Sequence, residues 1–294
     1  MQALRSRGAR DIAVPAVFVL LWSTGFIGAK LGLPYCEPLT FLALRFVCVL
    51  VVLLPVCWLA RVAWPGTAAA MHVAVAGVLI QAGYLGGVFT SIYQGMPAGV
   101  SALIVALQPV LTAVFGVSAV GEHTGGRQWA GLVLGLAGVF LVVWDKMTLD
   151  GVSAASVSLS ALALVSITAG TLWQKRYCTQ VDLRANSAIQ LTAALVLLLP
   201  LALLIETGEV HWTPTFVFAL AWLVFVLSLG AFLLLFLLIR HGAATRVASL
   251  MYLTPPCAAL VAWPLFGETF TPISVAGMVL AVAAVWLVTH QTAG

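Results

Sequence analysis

Apolar residues run along this chain in long blocks that do not alternate with polar ones. The stretches "LVLLLPLALLI" (195–205) and "FLLLFLLI" (232–239) are typical. A helix needs about 20 mostly apolar residues to cross a bilayer, whereas a strand of a membrane barrel alternates over about ten. The blocks therefore predict an all-α membrane protein. Its ten expected transmembrane helices cover residues 12–30, 38–60, 70–92, 97–119, 127–144, 154–174, 185–205, 214–239, 244–265 and 271–289.

The composition agrees with this prediction and narrows the function. Apolar residues make up 63% of the chain and charged residues 7%, and the mean hydropathy is +1.13. A soluble domain carries roughly a quarter charged residues, so lipid must be the solvent for most of this chain. The connections between predicted spans are too short for a soluble catalytic or nucleotide-binding domain. We therefore expect a protein that is not an enzyme and needs no cofactor and no metal.

Basic residues collect on one side of the predicted topology. With the N-terminus inside, the inner segments hold Arg5, Arg7, Arg10, Arg61, Arg127, Lys175, Arg176, Arg184, Arg240 and Arg246. The opposite side holds only Lys30 and Lys146. Cytoplasmic loops are enriched in Lys and Arg, so both termini are predicted to be cytoplasmic, in a bacterial-type inner (plasma) membrane. The formal net charge of +4 is spread over these loops, which argues against a nucleic-acid partner.

Two segments of the chain repeat each other. "LQPVLTAVFGVSAVGE" (107–122) and "LTPPCAALVAWPLFGE" (253–268) both place a proline inside an apolar run and end on Gly-Glu, at a shift of 146 residues. The match predicts a five-helix unit used twice, over residues 1–146 and 147–294. Because five is odd, the second unit must be inverted in the membrane. Inverted repeats are typical of transporters, whose halves exchange conformations around a central site.

With the ten spans and this repeat, the residues "WSTGFIGAKLGL" (22–33) and the two segments from proline to Gly-Glu resemble the EamA family. This family belongs to the drug/metabolite transporter superfamily. The resemblance covers nearly the whole chain and implies an exporter of small metabolites, with amino acids prominent among them. As a whole, with its Arg-rich N-terminal segment and "WSTGFIGAK" (22–30), the chain most resembles the YddG-type exporters of aromatic and neutral amino acids. Export, as opposed to import, follows from the resemblance alone.

Prolines are predicted to bend two equivalent spans. Pro109 lies near the middle of the fourth span, and Pro255 and Pro256 lie near the middle of the ninth. A proline frees the carbonyl four residues earlier, which in lipid should face protein or a wet cavity. Each bend has a polar neighbour, Gln108 or Thr254, at the same repeat position. The bends either line a substrate pathway or serve helix packing alone.

Four more side chains are predicted near mid-membrane. Trp22 is too deep for the aromatic belt at the interface. Gln81 and Tyr84 are three residues apart and should share a helix face, and Tyr252 lies in the ninth span. Polar groups are costly in lipid, which favours cavity lining over structural hydrogen bonding. The predicted pathway residues are thus Trp22, Gln81, Tyr84, Gln108, Tyr252 and Thr254.

Arg45 is the only basic residue well inside a predicted span. A central arginine costs about 2.5–3.5 kcal/mol on insertion scales, although long side chains near a helix end can reach the interface. Arg45 is either a fixed cation for a substrate carboxylate or a structural clamp on neighbouring carbonyls. Its position near the end of the second span favours the clamp.

The rest of the predicted pathway is polar but almost uncharged. None of the nine acids falls inside a predicted span, which disfavours exchange of organic cations against protons. The pathway suits a small neutral or zwitterionic solute that is moved through the lipid bilayer by alternating access. The alternatives are a drug or organic-cation exporter that uses aromatic faces and, in another class, a channel or a non-transporting scaffold.

The glycines of "GLVLG" (131–135) let helices approach closely. They permit either a homodimer face or tight packing within one chain. The sequence therefore leaves both a monomer and a homodimer open.

Overall fold

The computed structural model describes residues 2–144, 152–242, 244–257, 260 and 271–289. Within these ranges the regular elements are helical, and nine helices are long and apolar enough to cross a membrane. They are Ala13–Tyr35, Pro38–Leu59, Thr67–Tyr93, Val100–Val120, Gly126–Trp144, Ala154–Tyr177, Leu183–Ile205, Pro214–His241 and Pro272–Thr289. We number them spans 1 to 8 and span 10. Span 1 is the apolar part of a longer helix, Gln2–Gly32, and of the short 3-10 helix that follows it.

Span 9 is described over its first half. It begins with helix Ala244–Ser249, continues as the 3-10 helix Leu250–Leu253 and returns to a helical turn over 254–257. The remainder of the predicted span, with Glu268 beyond it, lies outside the described residues. The protein is thus an all-α membrane protein of ten transmembrane helices in two inverted five-helix repeats. This confirms the fold predicted from the sequence.

Four spans contain irregular turns at equivalent places in the two repeats. Span 3 contains a π-helical segment, Val78–Tyr84, and span 8 contains another, Leu223–Ala231. Span 4 is interrupted between helices Ala98–Val105 and Gln108–Val120. A shift of 146 residues places this interruption on the 3-10 segment of span 9.

Irregular backbone leaves some peptide groups without their regular helical partners. At membrane depth such backbone is tolerated only where it is buried in protein or lines a water-filled cavity. Single π-helical turns are also frequent at functional sites. Spans 3, 4, 8 and 9 are therefore the spans expected to line a solute pathway.

The packing of the spans follows the same symmetry. Span 5 lies along span 10, span 2 packs against span 7, and the contact of spans 3 and 6 is matched by that of spans 8 and 1. Spans 5 and 10 approach each other closely at two glycines. A Cβ on Gly138 would lie 2.7 Å from the nitrogen of Ala281, and a Cβ on Gly277 would lie 2.6 Å from the carbonyl oxygen of Gly138. Gly131 likewise faces Ala284, so these glycines pack within one chain.

At one end of the bundle, span 7 finishes beside the start of span 2. The Glu206 carboxylate accepts hydrogen bonds from the backbone N–H groups of Leu39 (2.8 Å) and Thr40 (2.7 Å). Glu37 in turn accepts from the Thr207 hydroxyl (2.6 Å), and this bond holds the pKa of the Glu37 carboxyl below its ordinary value. We call this the Glu37 end; the sequence predicts that it is periplasmic.

At the other end, which we call the Glu122 end, span 4 finishes beside the start of span 9. The Glu122 carboxylate accepts from the backbone N–H of Ala244 (2.8 Å), and Arg176 donates to the carbonyl of Ala119 (2.6 Å). Span 7 runs unbroken from one end to the other. Lys30, which lies close to the Glu37 end, is therefore on the opposite face of the bundle from Arg176, as an inverted repeat requires.

Replacing Glu206 with alanine is expected to lower the stability of the protein. The side chain serves two of the free N–H groups at the start of span 2, and the loss of such a cap costs about 0.5–2 kcal/mol. The expected result is a lower thermal unfolding temperature in detergent. Glu209→Ala is the matched control, because that acid is exposed at the same end. Equal unfolding temperatures for the two variants would contradict the capping role.

Candidate functional site

A small cavity lies where the two repeats meet. Spans 1, 3 and 4 of the first repeat and the equivalent spans 6, 8 and 9 of the second repeat line it. Four of the six predicted pathway residues take part: Trp22, Tyr84, Gln108 and Thr254. The volume is about 30 Å³, which is room for about two water molecules. An organic solute therefore needs a movement of the spans to enter.

The break in span 4 brings Gln108 into the cavity wall. The second helix of this span begins at Gln108 with Pro109 in its first turn, where a missing N–H is tolerated. Gln108 Nε2 donates to Thr171 Oγ1 of span 6 at 3.2 Å, and Thr171 donates to the carbonyl of Ile167 at 2.7 Å. The first repeat thus presents an amide to the cavity.

Thr254 is the repeat counterpart of Gln108 and lies beside Pro255, which also lines the cavity. The Thr254 hydroxyl is buried and has no hydrogen-bond partner among the described residues. Most buried polar groups are paired, so a hydroxyl left open beside a cavity is available to a solute or a water molecule. Pro256 is placed in the same helical turn, one residue farther along the chain.

One wall of the cavity is aromatic. The rings of Trp22 and Tyr84 are stacked, with centroids 6.4 Å apart and planes at 6°. Behind this lining, the ring centroids of Phe232 and Phe18 lie 4.8 Å and 5.3 Å from that of Trp22. Such a wall can pack against a flat or apolar side chain of a solute.

Arg45 is enclosed inside the protein, although its place near the end of span 2 permits its side chain to reach the interface. Its side chain is 2% exposed and does not reach the end of the span. No described carbonyl accepts a hydrogen bond from it, so the described contacts do not include the predicted clamp on neighbouring carbonyls. Instead, Nε donates to Ser228 Oγ of span 8 at 2.9 Å, and Nη2 is buried without a partner among the described residues.

Arg45 lines a second cavity of about 30 Å³, next to the first. Trp22 and Tyr84 line both cavities and so form the wall between them. The guanidinium carbon of Arg45 lies 5.9 Å from the ring centroid of Phe232, which also lines this second cavity.

Of the six predicted pathway residues, Gln81 and Tyr252 line neither of these two cavities. Residues three apart share a face in an α-helix, but Gln81 and Tyr84 lie in the π-helical segment, whose wider turn separates them. Tyr252 is fully buried, and its ring packs against Gly135 of span 5. In this conformation both residues belong to the packed interior.

Thr171 is a cavity residue that the sequence analysis did not single out. Span 6 is the repeat counterpart of span 1, and the shift of 146 residues carries Trp22 onto Thr168. Thr171 lies three positions farther on, near the same face of that helix. Applying the repeat shift to Trp22 would have directed attention to this part of span 6.

The described acids lie at span ends and in loops, apart from Asp11 in the N-terminal helix. Neither of the two cavities contains an acid in its lining. No group of three or more His, Cys, Asp or Glu side chains within the described part of the chain could hold a metal ion. What the centre offers is an amide, two hydroxyls, stacked aromatic rings and one adjoining guanidinium.

The sequence matches the EamA-like transporter family twice, over residues 12–144 and 154–290. The chain belongs to this family. Because EamA proteins are transporters, it is a membrane transporter that handles small molecules within the bilayer. The central position of the cavity, shared by both EamA repeats, is the arrangement expected of a transporter with inverted repeats.

Among curated EamA relatives, the chain is 27% identical over 287 residues to a "Probable amino-acid metabolite efflux pump" of Salmonella typhimurium, covering 95% of this chain and 94% of that one. It is 30% identical to the "Uncharacterized transporter YvbV" of Bacillus subtilis, over 96% and 92% of the two chains. It is 27% identical to the "Uncharacterized inner membrane transporter YedA" of Escherichia coli, over 93% and 89%.

A solved crystal structure superposes on this EamA protein with a TM-score of 0.78, over 94% of this chain and 95% of that one. The two sequences are 21% identical. At that identity the likeness bears on the fold alone.

Proposed function

We propose that this protein exports small neutral or zwitterionic metabolites, amino acids with apolar or aromatic side chains first among them. The observation that carries the proposal is the central cavity, where equivalent spans of both repeats bring together an amide, a hydroxyl without a partner among the described residues, and stacked aromatic rings. The amide and the hydroxyl can hydrogen-bond the polar part of such a solute, and the rings can pack against its apolar or aromatic side chain. The name of the Salmonella relative supports amino acids as the class.

In this proposal the two repeats, 1–146 and 147–294, rock against each other and open the centre to one face at a time. The conformation with the small cavity of about 30 Å³ is then one stage of the cycle. The protein performs no covalent chemistry and binds no nucleic acid. It lies in the inner membrane with both termini in the cytoplasm, because basic residues are enriched on that side.

Transport by purified protein in liposomes tests this proposal. Radiolabelled amino acids are offered with and without a proton gradient, and also after loading the lumen with the same unlabelled solute. The expected result is saturable uptake that the internal solute accelerates, since a carrier exchanges faster than it returns empty. Uptake that never saturates would indicate a channel. Selective uptake of a quaternary amine would favour the organic-cation exporter.

A further inference from the structure

Arg45 is a buried cation without a counter-charge among the described residues. Its side chain is 2% exposed, and its hydrogen-bond partner is the neutral hydroxyl of Ser228. The described ion pairs include none with Arg45. An arginine stays charged in proteins, and a charge buried without a partner carries a desolvation penalty of several kcal/mol. Such a group is expected to have a partner in some state of the protein.

Two other basic side chains of the described structure have hydrogen-bond acceptors for their donors, whereas Nε of Arg246, in the first helix of span 9, is also buried without a partner among the described residues. Lys175 donates to the carbonyls of Ile239 (3.1 Å) and Gly242 (2.6 Å). Arg184 pairs with Asp182 at 3.0 Å, at the start of span 7. These contacts fix helix ends, whereas Arg45 lies inside span 2 with Nη2 unpaired. Its environment is that of a binding residue.

The surroundings of Arg45 define what could bind there. It shares its cavity with the aromatic side chains of Trp22, Tyr84 and Phe232. Through Trp22 and Tyr84 that cavity adjoins the central one, which holds Gln108 and Thr254. An anionic group on the guanidinium would thus be joined to an apolar body among the rings. Guanidinium groups favour carboxylates because two parallel N–H donors can meet both oxygens.

We propose that Arg45 binds the carboxylate of the transported solute. The substrate class is then a small carboxylate that carries an apolar or aromatic group, with or without an ammonium group. This inference rests on the proposed function and changes its substrate class in two respects: neutral solutes without a carboxylate become poor substrates, and apolar carboxylates without an ammonium group are included. The central cavity takes the apolar part, and the adjoining cavity takes the carboxylate when the spans separate.

The second repeat suggests the variant with which to test this. Arg45 corresponds, with one residue of slippage, to Gln190 of span 7. Gln190 is fully buried, and its Nε2 donates to Gln174 Oε1 at 2.8 Å. The fold therefore already accommodates an uncharged amide at this place. Arg45→Gln removes the charge with a side chain that the other repeat uses, and Arg45→Lys keeps the charge without the forked donors.

Binding in detergent is measured as the rise in the protein's unfolding temperature when one of three solutes is added. A solute concentration of about 10 mM exceeds the Kd of about 1 mM that is typical of weak binding. The solutes are L-phenylalanine, which carries both an ammonium and a carboxylate group, L-phenylalaninamide, which carries only the ammonium, and 3-phenylpropionate, which carries only the carboxylate. We expect the two carboxylates to bind the unaltered protein at least tenfold more tightly than the amide. In Arg45→Gln this preference should fall below about threefold, whereas Arg45→Lys should keep part of it.

The preference within the unaltered protein does not depend on any variant being folded. Equal binding of amide and acid there, or no binding of any of the three, would overturn the assignment. So would an undiminished preference in folded Arg45→Gln. Uptake of the same solutes into liposomes separates this inference from the proposed function. Carboxylate-selective binding without transport would contradict the transport proposal and support the role of Arg45.

Discussion

Replacing Tyr84 with alanine is expected to reduce transport at least tenfold while leaving the protein folded. Tyr84 lines both cavities and is stacked on Trp22 at 6.4 Å. An aromatic contact contributes about 0.5–1.5 kcal/mol beyond its area, and 1.4 kcal/mol lost from the rate-limiting state is tenfold in rate. Because the ring already borders empty space, its removal costs less packing than in a filled core. Initial rates of uptake in liposomes, normalised to incorporated protein, give the measurement.

Tyr252 supplies the matched control, and its expected behaviour is the reverse. Its ring fills the space beside Gly135, so Tyr252→Ala should lower the free energy of unfolding by about 3 kcal/mol or more. Its hydroxyl has no partner among the described residues, so Tyr252→Phe should be close to neutral. The assignment fails if Tyr84→Ala transports at the normal rate. It also fails if Tyr252→Ala is stable but inactive.

The different roles of these two tyrosines show where sequence reasoning stops. Length and apolarity determine where a chain can cross a bilayer, which is why spans such as Gly126–Trp144 and Leu183–Ile205 lie where they were predicted. The repeat adds the inversion and the equivalence of Gln108 and Thr254. None of this depends on how a helix is rotated about its axis.

Which side chain faces the centre does depend on that rotation, and local irregularity changes it. The π-helical segment over Val78–Tyr84 has no signal in hydropathy. It separates Gln81 from Tyr84, although their spacing predicts one face. Arg45 shows a second limit. Its distance from the span end permits it to reach the interface, but the packing of span 8 encloses it beside Ser228. Only the neighbouring helix decides between these outcomes.

The irregular spans 3, 4, 8 and 9 all line the central cavity, together with the regular spans 1 and 6. Spans 5 and 10 are single α-helices that pack along each other and line neither cavity. Spans 4 and 9 are interrupted and take part in the lining. A carrier needs a firm contact between its halves as well as spans that can change shape. The glycines of spans 5 and 10 provide the firm contact between the two halves.

Replacing Gly138 with leucine is therefore expected to prevent folding. A Cβ at this position would meet the backbone of span 10, 2.7 Å from the nitrogen of Ala281 and 2.8 Å from the carbonyl oxygen of Gly277. Backbone atoms cannot move aside as a flexible side chain can, so the two helices must separate along their length. Loss of monodisperse protein in size-exclusion chromatography, with a lower unfolding temperature for the milder Gly138→Ala, measures the effect.

Gly126→Leu is the matched control in the same span, since a Cβ there meets nothing within 4 Å. A normal yield of Gly138→Leu with normal stability would mean that spans 5 and 10 are not held as closely as described. The inverted repeat extends this prediction. The shift of 146 residues carries Gly138 onto Ala284, and the carbonyl oxygen of Ala284 lies 3.0 Å from a Cβ built on Gly131. Ala284→Leu should therefore also lower the stability, because Ala284 is fully buried, but by less than Gly138→Leu, since Ala284 already accommodates a Cβ.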